Sequence, residues 1–193
     1  NPLYNQYYTT GGGVSLAVFD GDDFKRQIQI PLSDGKLRRL MPTKDYKHLL
    51  VTSSDGNIPV LDTAYFNQLQ TMHGHAGGTY SLAWIGMNKL VTGGRDAHLR
   101  FWNFDDNTLE QTDSIPAHNY AIYDILPISA NSFASASRDR NVKIWKLDDL
   151  DNPDRLKSDR TTTHSNSVNA LCKTDKYLIT ASDDRLIRVW ELP

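Results

Sequence analysis

Residues 133–145 read FASASRDRNVKIW, and similar 13-residue stretches stand at 90–102 (LVTGGRDAHLRFW) and at 178–190 (LITASDDRLIRVW). In each stretch an Asp precedes the final Trp by six residues, and a His stands 26 or 27 residues before that Trp. Two weaker copies place Phe19 and Leu61 in the Trp position, which therefore recurs every 41 to 45 residues. A fixed period of this length indicates a repeat architecture.

Short runs of alternating apolar and polar residues fill each repeat. In one repeat they are YSLAW at 80–84, KLVT at 89–92, LRFW at 99–102 and LEQT at 109–112. Alternation with a period of two predicts β-strands, and pairs such as Asp20-Gly21 and Asp55-Gly56 predict the turns between them. A unit of four short strands at this period is typical of a β-propeller blade.

Through these His, Asp and Trp positions the chain resembles the WD-repeat (WD40) β-propellers over about residues 5–192. The resemblance implies an all-β fold with 18 strands and about 4.5 blades in a single propeller region, 1–193. The expected units are a partial blade at 5–30, blades at 35–72, 79–115 and 120–163, and a partial last blade at 167–191. We expect the C-terminal part of a seven-bladed ring, completed by upstream sequence or by another chain. A compact five-bladed ring is the alternative.

The resemblance also assigns a structural role to residues that look like repeated hydrolase triads. A set copied in every repeat is expected to tie strands together through buried hydrogen bonds, and no catalytic residue is predicted. The implied tetrads are His75, Thr92, Asp96 and Trp102; His118, Ser135, Asp139 and Trp145; and His164, Thr180, Asp184 and Trp190. Val51 and Leu61 replace two tetrad members in the second repeat, and Gly13 is a departure in the first, so we expect the first two blades to be held more loosely.

Partners of this family bind mainly at the top face, around the mouth of the channel. When the family's partner-binding positions are aligned with this sequence, the resemblance implies that the following residues bind a partner: Lys36, Arg38, Tyr80, Arg95, Tyr123, Arg138, Asn169 and Asp183. Arg and Tyr are common in interface hot spots. The opposite face is expected to carry acidic loops between the third and fourth strands, with Asp20, Asp22, Asp23, Asp62, Asp105, Asp106, Asp148, Asp149, Asp151 and Asp154.

Composition narrows the classes of function. The net charge is -2 and the pI about 6.3, which argues against a general nucleic-acid partner. No apolar run is long enough for a membrane helix. No cofactor, metal site or small-molecule substrate is predicted. The single cysteine, Cys172, excludes a disulfide within the chain, favours a cytoplasmic location and is expected to be buried on an inner strand.

The sequence therefore predicts a non-catalytic scaffold that binds a protein or a peptide, which the Arg-rich face suggests to be acidic. One alternative is a reader of acidic or phosphorylated peptides that serves as an adaptor subunit of a larger complex. A second is a nucleic-acid-binding propeller, and a third is an enzyme, for which no constellation occurring only once is visible.

Overall fold

The computed structural model describes residues 1–10, 13–157 and 163–192. The regular structure of these residues is entirely β, with 18 strands in five antiparallel sheets, which confirms the predicted all-β propeller fold. No helix in this described part of the chain is long and apolar enough to span a membrane. Residues 158–162, at the end of the predicted blade 120–163, lie outside the described residues.

The strands follow one another in sequence order within every sheet. The first sheet contains β1 (Gln6–Thr9), β2 (Ser15–Asp20) and β3 (Arg26–Pro31). The second contains β4 (Leu37–Pro42), β5 (His48–Ser53), β6 (Asn57–Asp62) and β7 (Gln68–His73). The third contains β8 (Thr79–Trp84), β9 (Lys89–Gly94), β10 (His98–Asp105) and β11 (Thr108–Pro116). The fourth contains β12 (Ile122–Ser129), β13 (Ser132–Ser137), β14 (Val142–Lys146) and β15 (Asp149–Arg155). The fifth contains β16 (Val168–Lys173), β17 (Tyr177–Ser182) and β18 (Ile187–Glu191).

The first strands of neighbouring sheets meet at the inside of the fold. Strand β8 contacts β4 and β12, and β12 also contacts β16. Each of these four strands forms one edge of its own sheet. Residues on them therefore face a common interior, although their repeats are far apart in sequence.

Apolar clusters between successive sheets hold the blades together. Leu99 and Phe101 of the third sheet pack with Phe133 and Trp145 of the fourth. Ile58 of the second sheet packs in the same way with the third, and Val142 of the fourth with the fifth. Each complete sheet thus buries both faces, and nearly every residue of the second strands β5, β9 and β13 is buried although their sequences include polar residues.

The outward face of the fifth sheet is different. Ile187 and Val189 are 73% and 60% exposed, whereas Leu99 and Val142, which precede their tetrad Trp by the same three residues as Ile187, are fully buried. The sequence pattern is the same at all three positions, so only the neighbouring sheet decides whether the side chain is buried.

Two sequence predictions were wrong. Cys172 lies on the inner strand β16, but its side chain is exposed. Asp149, Asp151 and Asp154 lie on strand β15 and not in the preceding loop, because the chain turns back directly after Asp148. Asp20, Asp62 and Asp105 were also expected in loops, but they are the last residues of strands β2, β6 and β10. Only Val168 and Leu171 of β16 are buried, because this strand contains a bulge and forms the edge of the fifth sheet, and the spacing of residues in the sequence shows neither feature.

Candidate partner-binding site

Each of the three tetrads forms one continuous hydrogen-bond chain. In the fourth sheet, the Trp145 indole N–H donates to Ser135 Oγ at 2.8 Å, and His118 Nε2 lies 2.7 Å from the same hydroxyl. His118 Nδ1 lies 2.9 Å from Asp139 Oδ2. The His75 set and the His164 set repeat these contacts at 2.7 to 3.1 Å.

The protonation of these groups follows from their surroundings. Burial lowers the pKa of the His75 and His118 rings, although their Asp partners act in the opposite direction. Burial acts to raise the pKa of Asp139, but the hydrogen bond from His118 and nearby backbone N–H groups hold it well below its usual range. The three His side chains are fully buried, and through these hydrogen bonds each one links the loop that carries it to the strands and the turn of its sheet.

The second sheet replaces this network by local contacts. Val51 and Leu61 are fully buried apolar residues. Asp55 keeps its place at the turn, where it accepts hydrogen bonds from the Ser33 and Ser53 hydroxyls and from the Asn57 N–H. Ser33 therefore links the loop before β4 to the turn that contains Asp55. The sequence analysis did not identify this contact, because it looked only for a tetrad His in this loop.

A cavity of about 530 Å³ opens where the inner strands meet. Its lining comes from the second to fifth sheets and consists of Arg38, Arg39, Tyr80, Tyr123, Asn169 and Asp183. Five of these six were predicted as partner-binding residues, and Arg39 was not.

A repeated backbone irregularity places four of these side chains. In the pairing of β4 with β5, Leu37 faces Ser53 and Arg39 faces Thr52, so Arg38 has no partner across the ladder. The same register shift leaves three more residues without a partner on the neighbouring strand: Tyr80 in the third sheet, Tyr123 in the fourth and Asn169 in the fifth. A β-bulge bends its strand and redirects the extra side chain. Four equivalent bulges therefore gather four side chains at one cavity.

Aromatic and polar contacts link the bulge residues. The Arg38 guanidinium lies 5.1 Å from the centre of the Tyr80 ring, and the Tyr80 and Tyr123 rings are 6.0 Å apart. On the far side, the Asn169 amide donates to Asp183 Oδ1 at 2.5 Å. The cavity is therefore cationic and aromatic on one side and has a carboxylate on the other.

Arg39, the residue that the sequence did not indicate, spans the inside of the fold. It lies 3.1 Å from Asp124 Oδ1 on β12, two sheets away. Asp124 Oδ2 also accepts the Leu171 N–H of the fifth sheet at 2.8 Å. Burial raises the pKa of Asp124, and Arg39 opposes that effect. The Arg39–Asp124 pair, together with the Leu171 N–H, thus links the second, fourth and fifth sheets. Neither residue belongs to the repeated His, Asp and Trp pattern, so the sequence did not indicate the pair.

The other predicted cations stand at the rim and not in the cavity lining. The Arg95 N–H donates to the Gly78 carbonyl, and the Arg138 N–H donates to the Ala121 carbonyl, both at 2.9 Å. The Lys36 carbonyl accepts the Ser54 N–H in the equivalent position. Lys36, Arg95 and Arg138 therefore lie at the same end of their sheets as the bulges, and all three are exposed.

Comparison with known families agrees with this architecture. The model of the family "WD domain, G-beta repeat" matches residues 66–103, 109–146 and 157–191, more than half of the chain. The chain belongs to the WD40 repeat family. The first two matched segments each begin near the outer strand of one sheet and end on the third strand of the next, so each repeat links two neighbouring blades. No curated protein sequence matches the chain.

WD40 repeats generally serve as non-catalytic scaffolds for protein interactions. Within the described residues, no group of three or more His, Cys, Asp or Glu side chains is placed to hold a metal ion.

Proposed function

We propose that this WD40 chain is an interaction scaffold that binds an acidic peptide segment across the bulge cavity and its cationic rim. The observation that carries the proposal is the set of four bulge residues, which present Arg38, Tyr80, Tyr123 and Asn169 to one cavity of about 530 Å³. Because the bulges recur at the same position in four sheets, they direct these four side chains toward the same cavity, whereas regular strand pairing would keep them apart.

Unpaired positive charge supports an acidic ligand. Lys36, Arg38, Arg95 and Arg138 form no ion pair with any residue in 1–10, 13–157 or 163–192. Exposed guanidinium groups bind carboxylate or phosphate through paired N–H donors, so these side chains suit both acidic and phosphorylated segments. An adaptor role in a larger complex belongs to the same proposal.

The aromatic pair supports a peptide. Tyr80 and Tyr123 are half-buried and provide stiff, amphipathic contact area. Asp183 makes the fifth-sheet side of the cavity unfavourable for a carboxylate, so we place the acidic residues of the ligand over the second to fourth sheets.

We also propose a cytoplasmic location, since the exposed Cys172 thiol suits a reducing compartment.

The test uses a fluorescein-labelled peptide of alternating Glu and Gly, and the same peptide with Gln in place of Glu. The Glu peptide is expected to bind at least tenfold more tightly, with an affinity that falls as salt rises, because exposed charges are screened. The variant Arg38→Glu/Arg95→Glu is expected to lose this preference. The matched control Lys25→Glu/Lys176→Glu, which changes the same charge at exposed positions away from the cavity, is expected to keep it.

Equal affinity for the Glu and Gln peptides would contradict the proposal. Unchanged binding by Arg38→Glu/Arg95→Glu would do so as well. Tighter binding of a labelled oligothymidine than of the Glu peptide would favour the nucleic-acid alternative.

A further inference from the structure

The rim of the bulge cavity reverses its charge at the fifth sheet. Arg95, Arg138 and Asp183 occupy equivalent places, because each directly precedes its tetrad Asp in the sequence. The backbone N–H of each also donates, at 2.9 to 3.0 Å, to the carbonyl just before the first strand of its own sheet. Two of these positions therefore carry a cation, and the third carries a carboxylate.

The bulge residues inside the cavity follow the same order. From the second to the fifth sheet they are Arg38, Tyr80, Tyr123 and Asn169. The series begins with a guanidinium, continues with two phenol rings and ends with an amide that donates to Asp183 Oδ1. Charge across the cavity thus runs from positive at the second sheet to negative at the fifth, with aromatic surface between.

Both charged ends are exposed and can take a ligand. Asp183 forms no ion pair in the part of the chain that the structure describes, and its Oδ2 accepts no hydrogen bond there. Arg38 lies against the Tyr80 ring and is likewise free of an ion pair in those residues, whereas Arg39 is already paired with Asp124. Arg38 and Asp183 are therefore the charges that a ligand meets.

The distance between the two ends sets the spacing of charges in a ligand. The Arg38 guanidinium carbon lies 5.1 Å from the Tyr80 ring centre, and the Tyr80 and Tyr123 ring centres lie 6.0 Å apart. These two steps correspond to about three residues of extended chain, which advances about 3.3 Å per residue. Asp183 belongs to the next sheet after Tyr123, and the long side chains of a Glu and a Lys cover the remaining distance.

We propose that the segment bound at this cavity is dipolar, with an acidic residue against Arg38 and a lysine about four residues along the chain against Asp183. The inference rests on the proposed function, since it names the class of peptide that the same site selects. The residues between the two charges lie over Tyr80 and Tyr123. Lysine suits Asp183 better than arginine, because Asn169 already uses one of the two oxygens that a bidentate guanidinium would need.

The same arrangement makes the order of charges in the ligand matter. A segment with only acidic residues brings a carboxylate close to Asp183, and like charges at an interface disfavour binding. A segment with the same composition but adjacent charges reaches only one end of the cavity. Repulsion at the fifth sheet therefore adds selectivity to the attraction at the second.

The experiment titrates the ¹⁵N-labelled chain with capped peptides and follows the Asn169 side-chain amide in ¹H–¹⁵N spectra. The dipolar peptide is Glu-Gly-Gly-Gly-Lys, used in both chain directions because the side-chain contacts do not depend on the direction of the backbone. The better direction is expected to bind about threefold to fivefold more tightly than the same peptide with Gln in place of Lys, which is the effect of one exposed ion pair. Glu-Lys-Gly-Gly-Gly, which has adjacent charges, is expected to bind as weakly as the Gln peptide.

Variants locate the lysine contact. Asp183→Asn keeps the acceptor for the Asn169 amide and removes the charge, so it is expected to lose the preference for Lys over Gln and to keep the preference for Glu over Gln. The matched control Asp175→Asn removes the same charge from the exposed β16–β17 turn of the same sheet and is expected to keep both preferences. Asp183→Lys is expected to bind Glu-Gly-Gly-Gly-Glu more tightly than the unmodified chain does.

The outcomes separate this inference from the function on which it rests. Equal affinity for the Lys and Gln peptides, with Glu still preferred over Gln at the acidic position, would overturn the dipolar segment and leave the acidic-peptide function standing. An unchanged preference for Lys in Asp183→Asn, or equal binding of the peptides with separated and adjacent charges, would overturn the dipolar segment as well. Absence of any preference for Glu would overturn the function and the inference together.

Discussion

Removing the Asp139 carboxylate tests whether the tetrads hold the blades together. Asp139→Ala deletes the acceptor of the His118 ring N–H, which lies at 2.9 Å, and of the Asn119 and Asn141 backbone N–H groups at 3.1 and 3.0 Å. The His118 side chain is fully buried, so water cannot replace the lost acceptor at that nitrogen.

The size of the effect follows from these contacts. A buried donor left without a partner costs about 1–3 kcal/mol, and the two turn N–H groups, which can reach water, add about 0.5 kcal/mol each. We expect Asp139→Ala to lower the free energy of unfolding by about 2–4 kcal/mol. In a chain of this length each kcal/mol corresponds to about 2–4 °C in the melting temperature.

Asp55→Ala in the second sheet is the matched control. Asp55 accepts hydrogen bonds from two hydroxyls and one backbone N–H, but from no buried ring. A hydroxyl rotates to another acceptor, so we expect a loss of about 1 kcal/mol. Urea denaturation of both variants, monitored by tryptophan fluorescence, measures the difference through the midpoint at constant slope. Equal losses for Asp139→Ala and Asp55→Ala would refute the structural account of the tetrads.

The other predictions concern charge and exposure. Arg39→Met leaves the buried Asp124 carboxylate without its cation and is expected to cost about 1–3 kcal/mol in urea denaturation at pH 7. Because burial raises the pKa of Asp124, the loss is expected to shrink as the pH falls and the carboxylate becomes protonated, and a loss that does not depend on pH would contradict this. Because the pKa values of His75 and His118 are lowered by burial, the unfolded chain binds more protons below about pH 6.5. Stability is therefore expected to fall as pH drops from about 6.5 through the folded pKa values; a urea midpoint that is constant from pH 7 to pH 5 would be inconsistent with buried neutral rings. Ile187→Ser/Val189→Ser is expected to reduce the binding of the dye ANS with little change in stability, because both side chains are already exposed; unchanged dye fluorescence would place the apolar surface elsewhere.

The repeat determined the fold because its signals are local. A Trp, an Asp and a His at constant separations, with short alternating runs between them, are sufficient to predict 18 strands and three tetrads. Each tetrad connects residues of a single repeat and its preceding loop, so its hydrogen bonds follow once the strands form. The same alignment placed five residues of the bulge cavity at the correct end of their strands.

Tertiary structure alone decided which of these side chains meet. A shift of one residue in a ladder moves a side chain to the other face of the strand, so the bulges at Arg38 and Tyr123 cannot be read from residue type. The Arg39–Asp124 pair joins strands that lie two sheets apart, so no pattern within one repeat predicts it. Leu99 is buried because the fourth sheet covers it, whereas no sheet in the described residues covers Ile187; the sequence of a strand does not decide what covers it.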